Sequence, residues 1–227
     1  MGNLLVSSVF LMFLFNGCHL FNSGDQKFSQ IEERLAVLEK ALLSNQVVEQ
    51  EKPFDFPVGE SYLLGNKDAK ISIVIFTNLQ CGYCARTDKA LHEALRDPEL
   101  KNNVNLVVKH YPFLSRSKPA TKAAFAAGEQ GAEKFWLMSE KIYANQGALT
   151  DENFIKWAKQ LGLDINKFSA DLLNNDKKYD DILAKDLELV KMAKINSTPS
   201  IFVGGFSYED EPTASAIKAF IKKKNLL

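Results

Sequence analysis

Ile71-Ser72-Ile73-Val74-Ile75-Phe76-Thr77-Asn78-Leu79-Gln80-Cys81-Gly82-Tyr83-Cys84 joins two signals. Its first six residues are apolar almost throughout, as in a strand buried on both faces. The Cys-Gly-Tyr-Cys that follows opens a helical pattern from Ala85 to Leu95, with Thr87, Leu91, Ala94 and Leu95 on one face. Cys81 falls at the helix N-terminus, where unpaired N–H groups and the helix dipole favour a thiolate. Cys84 falls one turn inside, shielded and within reach of Cys81. Two thiols in this arrangement suit reversible disulfide chemistry and imply exchange with thiols or disulfides of other proteins.

Upstream of this stretch, Tyr62-Leu63-Leu64-Gly65 predicts a short first strand, and Gly65 to Asp68 a turn. Asn105 to Tyr111 predicts the next strand. A β-α-β unit of this length implies a right-handed crossover and a parallel pair. From Lys118 to about Lys194 the pattern is helical. Phe125, Phe135, Trp136, Phe154, Trp157 and Phe168 recur at helical spacings, as a helical core rather than a cofactor pocket. Ser200 to Val203 and Phe206 to Tyr208 flank Gly204-Gly205, a hairpin signal. A last helix runs from Pro212 to about Lys224. The order is β-β-α-β, a helical block, then β-β-α, with no internal repeat.

At the other end, Leu4 to Phe15 has the length of a signal-peptide core and is too short to span a bilayer. It leads into Gly17-Cys18, which looks like a loose bacterial lipobox with Cys18 as the lipidated residue. A conventional signal peptide or an uncleaved anchor is the alternative. Export suits disulfide chemistry, which persists in oxidising compartments. Ile31, Leu35, Leu38 and Leu42 then form a narrow apolar seam, with Asn45 at the next seam position. The seam suits either a self-association stalk or packing on the chain's own domain. Pro53 and Pro57 mark a charged linker. The expected domains are a signal peptide over 1–17, a membrane-proximal helical segment over 18–50, a linker over 51–58 and a globular domain over 59–227.

Composition narrows the function. The chain has 227 residues, 46% hydrophobic, and 28 basic side chains balance 28 acidic ones. No basic surplus points to nucleic acid and no acidic surplus to a disordered tail. The three cysteines are Cys18, Cys81 and Cys84, so the mature domain has one pair and nothing to scramble with. A structural zinc needs four ligands. Only His92, expected on the solvent side of its helix, and His110, near a strand end, would join the pair, without ligand spacing. A purely structural disulfide would close too tight a loop to constrain the chain.

Phe76 to Cys84, together with Asn196-Ser197-Thr198-Pro199-Ser200-Ile201-Phe202-Val203-Gly204-Gly205, resembles the bacterial DsbA-type thioredoxin-fold disulfide oxidoreductases over roughly residues 59–227. The resemblance implies an α/β thioredoxin fold with a helical insertion, here about 113–195, between its two halves. It implies a cis Thr198–Pro199 bond against Cys81 and Cys84, with the Thr198 backbone free to pair with an extended substrate segment. Cys81 would be the nucleophile and Cys84 the resolving thiol, with no metal, nucleotide or flavin. Gly82-Tyr83 and the threonine before Pro199 are similar to the periplasmic isomerases, which work as oligomers. The extensive helical block is similar to the oxidases. Asn78 departs from the acidic residue often found at its position, and an amide cannot shuttle a proton. Arg86 either supports the Cys81 thiolate or is simply solvated. The implied partners are exported protein substrates, a membrane redox partner, a lipid anchor at Cys18 and a second copy of the chain through residues 31–45, in the periplasm or cell envelope. A periplasmic thiol reductase and a lipid-anchored binding or chaperone module are the competing readings.

Overall fold

The computed structural model describes residues 27–38 and 52–227, which belong to two units, Met1–Glu51 and Lys52–Leu227. In the first unit, residues 27–38 form a helix, α1. Phe28, Ile31, Leu35 and Leu38 are each more than half exposed on it. The early part of the expected seam is therefore helical. Leu42, Asn45, Cys18 and the expected signal peptide lie outside the described residues.

The second unit follows the order β1 (Leu63–Gly65), β2 (Ile71–Thr77), α2 (Gly82–Ala94), α3 (Pro98–Asn103), β3 (Val104–His110), then α4 (Ser117–Gly128), α5 (Ala132–Tyr143), α6 (Asp151–Gln160), α7 (Ile165–Asn174) and α8 (Asp176–Met192), then β4 (Ser200–Val203), β5 (Phe206–Tyr208) and α9 (Ala214–Lys223). The sheet order is β1-β3-β2-β4-β5. β2 and β3 are parallel, with Ile75 opposite Val108. β1 pairs antiparallel with β3, β4 with β2, and β5 with β4.

The apolar run of β2 is split by its period of two. Ile71, Ile73 and Ile75 join the larger core, with Leu106, Phe125, Phe135 and Phe168. Val74 and Phe76 point the other way, to Phe56, Val107, Val190 and Phe202. Both faces of the strand are covered, so a near-continuous hydrophobic run is what it requires.

Three features differ from expectation. α3 is new; Asp97 caps it by accepting from the N–H groups of Glu99 and Leu100 at 3.0 and 3.3 Å, and Pro98 occupies its first turn. Within the expected linker, Phe54 and Phe56 dock on the sheet while their neighbours stay exposed. The Phe54 N–H donates to the Gly205 carbonyl at 2.9 Å, and the Phe56 ring meets those of Phe202 and Phe76 at 4.7 and 5.2 Å. The two phenylalanines supply apolar surface that outweighs the punctuation of the flanking prolines. His92 is half-buried rather than on the solvent side; its ring stands edge-on to Trp136, with centroids 5.4 Å apart.

Gly204 and Gly205 form the expected hairpin turn with φ of 57° and 83°. A Cβ on Gly205 would collide with the Phe54 carbonyl. Gly205→Ala therefore meets a backbone clash as well as an unfavourable φ, and should cost about 1–3 kcal/mol. A lower urea midpoint at unchanged slope is the expected reading, and an unchanged midpoint would contradict it.

Candidate active site

β2 delivers the chain to Asn78, which organises the loop before the cysteines. The Asn78 amide is 1% exposed. Its Nδ2 donates to the Tyr111 carbonyl at 3.1 Å, and its Oδ1 accepts from the Gln80 N–H and the Ser117 hydroxyl at 2.9 and 2.7 Å. Its backbone carbonyl accepts from the Cys81 N–H at 2.9 Å. The side-chain bonds suit an amide, which donates and accepts at once; a carboxylate could not make the one to Tyr111. The departure noted at this position is thus a structural post under the site. From the α5–α6 connection, Gln146 Nε2 donates to the carbonyls of Leu79 and Cys81 at 3.1 and 2.9 Å.

Cys81 is the N-cap of α2, with extended backbone, and the first helical turn contains no acidic side chain to offset the dipole. Both thiols are free. Cys81 is partly exposed, while Cys84 is fully buried. Burial alone would raise the Cys81 thiol. Hydrogen bonds from the Cys84 N–H, the Cys84 thiol, Thr198 and the Tyr83 N–H outweigh it, and the net direction is downward. Burial pushes Cys84 up to about 11, against the opposing pull of Thr77, Thr198 and the Asn78 N–H. The Asn78 N–H lies 3.4 Å from Cys84 Sγ. The two thiols are therefore pushed apart, one towards thiolate at the surface and one held protonated beneath it.

The loop before β4 closes the site. The Thr198–Pro199 bond is cis, and the Thr198 carbonyl lies 3.6 Å from Cys81 Sγ. A groove of about 420 Å³ runs from Thr87 and Pro199 past Ser197 to Tyr208 and Glu211. Gly82 and Tyr83 are both exposed beside the thiols. The Arg86 guanidinium lies 4.3 Å over the Tyr83 ring and is not among the groups that lower Cys81. His110 is buried against the Phe125 and Phe135 rings, remote in role from the thiols, and burial lowers it to about 3.

The structure brings together Cys81, Gly82, Tyr83, Cys84, Thr198 and Pro199, the residues marked by the sequence. It adds Thr77, Ser117, Tyr143, Gln146 and Asp88, which the sequence reading did not reach. Asp88 alone carried a signal, since it falls four residues after Cys84 on the same helix face.

A thioredoxin family model matches residues 58–223, and the chain belongs to that family. Its fold is the DsbA-like form, with five helices inserted between β3 and β4. BdbD from Bacillus subtilis superposes with a TM-score of 0.66 at 20% identity, over 76% of this chain and 96% of that one. ScsC from Proteus mirabilis superposes with a TM-score of 0.62 at 19% identity, over 92% and 97%. The thiol-disulfide exchange protein alpha-DsbA2 from Wolbachia pipientis gives 0.62 at 20% identity, over 73% and 86%. Among curated relatives, the Na(+)/H(+) antiporter NhaA of Herminiimonas arsenicoxydans is 28% identical over 218 residues, 96% of this chain and 32% of that protein. NhaA 1 of Salinispora arenicola is 28% identical over 163 residues, 70% of this chain and 24% of that protein. The chain thus spans about a quarter to a third of the length of these relatives. Among the described residues, no helix is long and apolar enough to cross a membrane.

Proposed function

We propose that the chain is a thiol-disulfide oxidoreductase that exchanges disulfides with exported protein substrates through Cys81 and Cys84. The observation that carries this reading is the opposed environment of the two thiols: Cys81 lowered at a helix N-terminus within 3.6 Å of the Thr198 carbonyl, and Cys84 buried and raised to about 11. With the pair oxidised, a substrate thiolate attacks Cys81 Sγ, the Cys81–Cys84 bond breaks, and Cys84 leaves. With the pair reduced, Cys81 attacks a substrate disulfide and Cys84 resolves the adduct. The groove beside Pro199 and the backbone of Thr198 suit an extended substrate segment paired as a short strand.

The direction we favour is oxidation or isomerisation, because a lowered Cys81 stabilises the reduced pair. A membrane redox partner, a lipid anchor at Cys18 in the cell envelope and self-association through residues 31–45 complete the reading. The exposed apolar positions of α1 support the last of these. The transport named in the antiporter relatives belongs to those longer proteins, and we carry over only the thioredoxin-like segment. The test is reduction of insulin disulfides by the protein with dithiothreitol as the electron source. Turnover no faster than dithiothreitol alone would remove the reading.

A further inference from the structure

Cys84 has to give up a proton when it resolves a mixed disulfide, yet it is fully buried and Asn78 beside it is an amide. Other polar groups lie near Cys84. The Thr77 hydroxyl acts on the Cys84 thiol, and Thr77 Oγ1 lies 2.7 Å from the Tyr143 hydroxyl. Tyr143, at the end of α5, lines a pocket of about 290 Å³ together with Asp88, one turn beyond Cys84 on α2. The pocket has room for bridging water. Asp88 is 9% exposed. A carboxylate this buried normally has a charged partner. Here its neighbour on α2 is His92, whose Nε2 is 3.8 Å away and has no hydrogen-bond partner among the described residues. α5 contributes Glu140 and Tyr143, while Lys89, Glu93 and Arg96 stand around the pocket.

From this geometry we infer that Asp88 is the proton acceptor for Cys84, reached through the hydroxyls of Thr77 and Tyr143. The inference rests on the exchange reading above. In the resolving step the Cys84 proton passes to Thr77, the Thr77 proton to Tyr143, and the Tyr143 proton through pocket water to Asp88. Cys84 Sγ then attacks Cys81 Sγ. The Cys81–Cys84 bond forms, the bond from Cys81 to the substrate sulfur breaks, and the substrate leaves as thiolate. The pair is oxidised and the substrate disulfide reduced. In the opposite direction Asp88 returns the proton to Cys84 as it leaves. Burial first, then the Glu140 charge, raise Asp88 to about 7, which matches a group that must take and release a proton near neutrality. Burial lowers His92, so it supplies no cation to pin the carboxylate at neutral pH.

The test is a stopped-flow reaction of the reduced protein with an aromatic disulfide that releases a coloured thiol at each step. The first release reports attack by Cys81 and the second reports resolution by Cys84. The second phase should accelerate through an inflection near pH 7. Asp88→Asn should erase that inflection and slow the second phase about tenfold or more relative to the first. Tyr143→Phe should slow it similarly, and Asp88→Glu should restore part of it. Asp88→Asn should also melt higher than the parent at pH 8 and converge with it at pH 4. This follows because a carboxyl raised in the folded state loses its stability contribution as pH rises from about 4 to 7. A slower yet more stable variant excludes damage to the fold. An Asp88→Asn protein that keeps both the rate and the inflection overturns the inference. Absence of a fast first release overturns instead the exchange reading on which it rests.

Discussion

Replacing Cys81 with serine should lower insulin-reducing turnover by at least about a thousandfold while leaving the fold in place. Of the two described thiols, Cys81 is the one that is both accessible and lowered. A serine hydroxyl there would face the same helix N-terminus but stay protonated, and it forms no disulfide. The rest of the site has little chemistry to offer, since Cys84 is fully buried. Cys81 is only partly buried, so the change removes little packing and the thermal midpoint should move by no more than a few degrees. Cys84→Ser separates the roles, because it keeps the first attack and holds the mixed disulfide unresolved. Parallel assays of the parent, Cys81→Ser and Cys84→Ser measure all of this. Retained turnover in Cys81→Ser would place the chemistry elsewhere.

The largest effect on stability is expected at Lys109, a charge in the middle of the sheet. Its side chain is 5% exposed, its Nζ lies 3.6 Å from Asp186 Oδ1, and it donates to the Val58 carbonyl at 3.2 Å. Asp186 also accepts from the His110 N–H at 2.8 Å, tying α8 to β3. Burial raises the Asp186 carboxyl to about 6 even with Lys109 present. Lys109→Met strips the charge from one side and leaves the other uncompensated, at a cost of about 3–5 kcal/mol. The pH dependence has a definite sign. The folded carboxyl lies above its unfolded value, so the folded state holds more protons and stability falls as pH rises from about 4 to 6. Without Lys109 the carboxyl rises further, so the variant approaches the parent in acid and trails it most near neutrality. Adding Asp186→Asn, which keeps an acceptor for His110, should recover most of the loss. Urea melts across pH 4 to 8 would decide it, and a loss independent of pH would contradict the account.

How much of this was legible in the chain depended on whether a residue's role was local. The strand before Cys81 could be read because a doubly covered strand must be apolar on both faces. The hairpin could be read because Gly204 and Gly205 both adopt positive φ. The cysteines and the Thr198–Pro199 bond were carried by a motif and its resemblance. Asp88 escaped because charged residues are normally assigned to the solvent side of a helix. The buried positions of α2 are in fact Cys84, Asp88, Leu91 and Ala94, with Asp88 in a place the reading gave to Thr87. Tyr143 and Gln146 reach Thr77 and the loop before the cysteines only through the folding of the inserted helices, more than sixty residues downstream of the bonds they make. No local pattern encodes that approach. The docking of Phe54 and Phe56 was not legible, because prolines signal a break in the chain but do not tell whether the aromatics between them find a surface.

The proposed direction of exchange requires the Cys81–Cys84 pair to accept electrons, its reduced form being stabilised by the lowered Cys81 thiol. Equilibration of the pair with glutathione buffers of known ratio, followed by thiol trapping, measures this directly. A reduction potential of about −120 to −200 mV, the range of oxidases and isomerases, is the expected result. A value below roughly −250 mV would make the protein an electron donor and contradict it.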